Sequence, residues 1–159
     1  MDKRLTDPFS ASLVRMVFAM TKLQCTSFGA TNYSVKPITS FGVASLIHLT
    51  GKICGRIMLD VEAEVALALT EKITGTRYTS AREEAVLLTL AEINNIVTGD
   101  AVTALNNEFS LALRSSPPIV FAGENAAIAL PKIETATMLF TSLPGNLQLS
   151  VAFRGGLTS

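Results

Sequence analysis

The chain predicts an α+β domain: a mostly antiparallel sheet with helices packed on one face. Three observations carry this. Apolar residues recur at helical spacing near the N-terminus and again over a longer stretch from about Ala81 to Asn107. Two alternating runs flank a turn at Thr50-Gly51-Lys52, as in a hairpin with one buried face. The order helix, strands, two helices, strands separates the helices from the strands instead of interleaving them. At 159 residues, without linker, low-complexity segment or internal repeat, residues 1–159 read as one domain.

Asp7-Pro8 pairs a capping residue with the residue type favoured at a first helical position. Leu13, Met16, Val17, Met20 and Leu23 follow at helical spacing, so the first helix is expected from about Pro8 to Gln24. Residues Cys25 to Pro37, rich in Ser, Thr, Tyr and Val, read as an irregular strand. The first hairpin strand, Phe41 to Thr50, sets Phe41, Val43, Ile47 and Leu49 on one side. The second sets Ile53, Gly55, Ile57, Leu59 and Val61 against Cys54, Arg56, Met58 and Asp60. Asp60 then starts a helix over Glu62 to Thr74, closed by Gly75. Ser80-Ala-Arg-Glu83 is a capping box opening the long helix. Strands are expected at Phe109–Leu113 or slightly beyond, at Ile119–Phe121 with Ala126–Leu130, and at Ala136–Thr141. Leu143-Pro144-Gly145-Asn146 suits a type II turn before a last strand through Leu147, Leu149, Val151 and Phe153. The tail from Gly155 is expected to fray.

Composition narrows the function classes. Hydrophobic residues make up 48% and charged residues 16%, which fits a well-filled core or a core plus an apolar subunit interface. Thirteen basic and thirteen acidic residues give net charge zero, with no Lys/Arg cluster, so binding to a nucleic-acid backbone has no electrostatic basis. No apolar run looks long enough to span a bilayer. Phe9 to Met20 imitates a signal peptide, but Arg15 interrupts it and no cleavage pattern follows. Cys25 and Cys54 are too few for a disulfide framework, so a cytoplasmic chain with reduced thiols is expected.

Most constellations of reactive residues have ordinary explanations. His48 is the only histidine, and with Cys54 as a cross-strand neighbour it would supply two metal ligands, too few for a zinc or iron site. Thr50-Gly-Lys-Ile lacks the upstream glycine of a phosphate-binding loop and leads into a strand. Glu62 with Glu64, and Glu83 with Glu84, sit in first helical turns, where the helix dipole favours acids.

Glu92 and Asn95 are different. In the long helix Val86, Leu90, Ile93, Val97, Ala101 and Ala104 form the apolar stripe. With ~100° per residue, Leu88, Glu92, Asn95 and Gly99 cluster nearly opposite, and a carboxylate and a carboxamide project side by side. Gly99 bares the backbone on that strip. Asn94 falls at the margin of the buried arc, where its amide is expected to hydrogen-bond locally. Exposed helices often carry Glu and Asn, but two weak helix formers on one strip point to contact with a partner.

These residues resemble the motif of the CheC/CheX/FliY chemotaxis phosphatases, and the chain looks most like the CheX branch. The motif is E-x-x-N followed after twenty-two residues by proline. Glu92 and Asn95 match it, and the count from Asn95 lands on Pro118. The Asp-Pro-Phe start, the Gly-bounded hairpin and the Glu-Val-Ala-Leu helix extend the resemblance along nearly the whole chain. The resemblance implies hydrolysis of the aspartyl phosphate of a CheY-type receiver domain in two-component signalling. Asn95 would orient the attacking water, and Glu92 would pair with a receiver lysine. Leu88 and Gly99 would belong to the docking surface, and Pro118 would be structural. It further implies no cofactor or metal on this chain, Mg²⁺ in the receiver, and a homodimer with a continued sheet. The family usually has Asp or Ser where this chain has Leu88, and its CheC and FliY members carry a second motif that is absent here. The Leu88 departure keeps open a non-catalytic module that binds receivers or flagellar switch components, or a scaffold with a vestigial motif.

Overall fold

The computed structural model describes residues 1–128 and 132–157. The elements run α1 (Lys3–Thr21), β1 (Thr26–Ser34), β2 (Ile38–Thr39), β3 (Gly42–Thr50), β4 (Cys54–Glu62), α2 (Ala63–Thr74), α3 (Glu84–Phe109), β5 (Arg114–Ser115), β6 (Ile119–Ala122), β7 (Ala127–Ile128), β8 (Thr135–Thr141) and β9 (Asn146–Arg154). Strands β1-β8-β9-β4-β3 pair in that order, and β5 and β6 both pair with the outer side of β3. Every pairing among the described residues is antiparallel. This is the expected α+β architecture.

Side chains alternate across strands, so odd-numbered residues of β3, β4 and β9 share one face. Val43, Ile47, Ile57, Leu59, Leu149 and Val151 lie there in one apolar cluster with Phe9 and Leu13 of α1, Val65 and Leu69 of α2, and Leu90, Ile93 and Val97 of α3. The helices therefore cover one face. The hairpin does not have a single buried face, however. Ala44, Leu46 and Met58 on the reverse pack with Ile128, under a separate two-stranded sheet of β2 and β7.

Asp60 explains how that reverse face closes. It stands inside β4, not at a helix start, and is completely buried. Its carboxylate accepts from the Ser40 hydroxyl (2.8 Å), the Phe41 backbone N–H (2.7 Å) and the Gln148 amide (2.6 Å). The same amide donates to the Thr39 carbonyl at 2.9 Å. A desolvated carboxylate requires such donors, and they tie the β2 segment over the sheet.

Other boundaries moved for local reasons. α1 begins at Lys3, where Asp2 accepts the Arg4 backbone N–H at 2.9 Å, so Pro8 lies inside the helix and Asp7 caps nothing. It stops at Thr21, where Lys22 turns into the left-handed region. α3 runs through Phe109, which displaces the strand expected there to Arg114–Ser115. β6 and β7 lie in different sheets, and Ala129 and Leu130 of the expected strand fall outside the described residues. The turn before β9 is Ser142–Gly145, closed by reciprocal backbone bonds of 2.9 and 3.3 Å, one residue earlier than expected. Leu157 packs against the core, so the tail is anchored at least to that residue.

His48 pairs with Arg56 across the hairpin, not with Cys54, because the loop extends through Ile53. Both cysteines are free thiols, and burial pushes the Cys25 thiol up to about 11. By length and composition α3 could cross a membrane, contrary to the run-by-run reading of the sequence. Its apolar side instead fills the core beneath the sheet.

Candidate functional site

α3 carries the candidate pair, and its roll about its axis decides where that pair points. At its start only half of the expected capping box forms: Glu83 reaches back to the backbone N–H groups of Thr79 and Ser80 (3.3 and 3.4 Å), but the Ser80 hydroxyl does not accept from Glu83, which is itself the N-cap. Ser80 accepts from Arg82 (3.2 Å) and leaves the helix itself to begin at Glu84.

The roll is fixed by Asn94. It is fully buried, at the centre of the inward face and not at its margin. Its amide donates to the Ser45 carbonyl (2.9 Å) and hydroxyl (3.1 Å) on β3, while its oxygen accepts from Thr98 at 3.1 Å. The buried arc takes in Ala91, Thr98, Val102 and Leu105 as well as the expected stripe, and Ala104 is exposed. On the other flank Ser12 of α1 donates to the Val97 carbonyl at 2.9 Å, and Arg15 pairs with Asp100. α3 is thus held by polar contacts to the sheet and to α1.

With the roll fixed, Glu92 and Asn95 both emerge exposed on the far side. Among the described residues neither side chain has a hydrogen-bond partner. Leu88 is 58% exposed and Gly99 half-buried, with open space where a Cβ would stand. The four residues of the strip therefore come together as expected. Pro118 stands apart, half-buried just before β6.

The sequence reading missed a groove of about 410 Å³ beside this strip. Met20 of α1, Lys72 and Ile73 of α2, and Leu88, Glu92 and Ile96 of α3 line it. The available signal was the apolar residues Ile73, Leu88 and Ile96, which lie off the buried faces. A smaller depression lined by His48, Cys54, Arg56 and Arg154 lies on the reverse face of the sheet. Among the described residues no three His, Cys, Asp or Glu side chains converge as metal ligands would.

The decisive comparison is with protein families: the family model of the chemotaxis phosphatase CheX matches residues 43–142, which include Glu92, Asn95 and Pro118. The chain belongs to the CheX family. A CheC-like superfamily protein from Shewanella sp. PV-4 superposes with a TM-score of 0.89 at 25% identity, covering 98% of this chain and 100% of that one. CheX from Vibrio vulnificus gives 0.83 at 24% identity, with 94% and 99% coverage. The CheX–CheY–BeF3–Mg²⁺ complex from Borrelia burgdorferi gives 0.77 at 24% identity, with 94% and 97% coverage. At these identities the last two likenesses speak for the fold. No curated protein matches the chain in sequence.

Proposed function

We propose that this chain is a phosphatase for the aspartyl phosphate of a CheY-type receiver domain. The carrying observation is the pair Glu92 and Asn95, exposed and without partners among the described residues, on a clamped helix in a chain of the chemotaxis phosphatase family. The relative from Borrelia burgdorferi forms a complex with CheY, which supports a receiver as the partner.

An aspartyl phosphate is a reactive acyl phosphate. Its hydrolysis needs a water placed in line with the P–O bond that breaks, more than it needs a strong base. The Asn95 carboxamide can accept from that water through its oxygen and align it. The water oxygen attacks phosphorus, the bond to the aspartate oxygen breaks, and inorganic phosphate leaves. Glu92 pairs with a receiver lysine and fixes the register of the two proteins through a charge-assisted contact. Leu88 and Gly99 give docking surface, the latter by letting the partner approach backbone. Mg²⁺ belongs to the receiver in this reading.

The homodimer implied by the family resemblance is part of the same proposal. β1 offers the surface for it: a nine-residue strand at the edge of the sheet, exposed along most of its length. Phe28 and Tyr33 on the strand and Val35 just after it are exposed, and an edge unpaired among the described residues is a template for strand addition.

Leu88 favours one other reading, a receiver-binding module without catalysis, because an apolar residue stands where the family usually has Asp or Ser. The half-life of a phosphorylated receiver separates the two. Shortening by catalytic amounts of the chain is expected; saturable binding with an unchanged half-life would establish the binding module instead.

A further inference from the structure

We infer that the groove beside Glu92 is a specificity pocket for an apolar side chain of the receiver, with Leu88 and Ile73 setting which receiver is accepted. This rests on the phosphatase reading above.

The groove adjoins the proposed site, since Glu92 and Leu88 belong to both. It is built from three helices, so its shape depends on the packing of the domain and not on one flexible loop. Ile73 is 44% exposed and Leu88 58%, two large aliphatic side chains of different helices left open to water in one groove. Exposed apolar surface concentrated in one concave place marks recognition more than scattered single residues do.

Charge narrows the occupant. Lys72 and Glu92 are the two charged residues of the lining and are opposite in sign. An occupant that satisfies both presents a basic group toward Glu92, an acidic group toward Lys72, and an apolar side chain between them. A receiver supplies the basic group in the lysine already assigned to Glu92. The matching receiver therefore carries an aliphatic or aromatic residue and an acid beside its phosphorylation site. Polar Asp or Ser in place of Leu88 would favour a different partner surface.

Asn95 and Gly99 do not line the groove. Recognition at Leu88 and water alignment at Asn95 thus fall about two turns apart along one strip of the helix, which predicts a separation of KM from kcat.

The test is steady-state dephosphorylation of a receiver that the wild-type chain acts on, with Leu88→Asp, Ile73→Ser and Leu88→Met. The first two are expected to raise KM about tenfold or more, in line with the loss of an apolar side-chain contact, and to leave kcat within about twofold. Leu88→Met should keep the wild-type KM. The affinity for the receiver loaded with beryllofluoride, a phosphoryl mimic, should weaken in parallel with KM. An unchanged KM in both polar variants of an active enzyme would overturn the pocket and leave the phosphatase reading intact. Dissociation of a dimer by Leu88→Asp at unchanged KM would likewise overturn it, assigning the groove to a second copy. Inactivity of the wild-type chain toward every receiver would remove both readings.

Discussion

At the scale of single residues, Asn94 and Asn95 are adjacent in sequence and opposite in role. Asn94 spends its amide on Ser45 and Thr98 inside the protein, while Asn95 is exposed and unpartnered among the described residues. Asn94→Ala leaves a buried carbonyl and two hydroxyls without that partner, which should cost about 1–3 kcal/mol in urea unfolding. A stability equal to wild type would show that water or repacking replaces the amide. Glu92, Asn95, Leu88 and Gly99 could be placed from the sequence because their shared strip follows from helical geometry alone. Asn94 could not. The arc was centred on apolar residues, and what makes a polar side chain a core residue is a partner 49 positions away on β3. Nor does spacing reveal the groove, because Ile73 and Met20 reach it from two other helices.

At the scale of elements, periodicity located the hairpin, the last strand and all three helices, while their ends followed local hydrogen bonds. Asp60 was the main casualty: an acid before a helical pattern reads as a start signal, yet here it closes the reverse face of the sheet. Burial raises its carboxyl above the ordinary 3.8, opposed in part by the bonds from Gln148, Phe41 and Ser40. A raised folded-state pKa means that the folded protein holds this proton more tightly than the unfolded chain. Its stability contribution is therefore full below the unfolded value and declines as pH rises through the folded one. The stability of wild type minus that of Asp60→Asn should accordingly fall as pH increases from about 4 toward neutrality. A difference that rises over that range would mean that the three donors outweigh burial.

At the scale of the whole molecule, the antiparallel sheet with its helices on one face was predictable because connection order and alternation restrict the choices. The second small sheet was not, since β2 and β7 are two residues each and leave no periodic trace. The free edge at β1 carries the proposed dimer. Light scattering should give twice the 16.9 kDa mass of the chain, and Tyr33→Lys should shift it toward monomer. A wild-type monomer at all accessible concentrations would remove the dimer from the account. The role of Asn95 is read from the rate of phosphate release from a phosphorylated CheY-type receiver with wild type and with Asn95→Ala. Asn95→Ala should unfold like wild type, because the side chain is exposed and has no hydrogen-bond partner among the described residues. It should still bind the receiver, and its kcat should drop about a hundredfold or more with loss of the aligned water. A variant that releases phosphate at the wild-type rate would contradict the account.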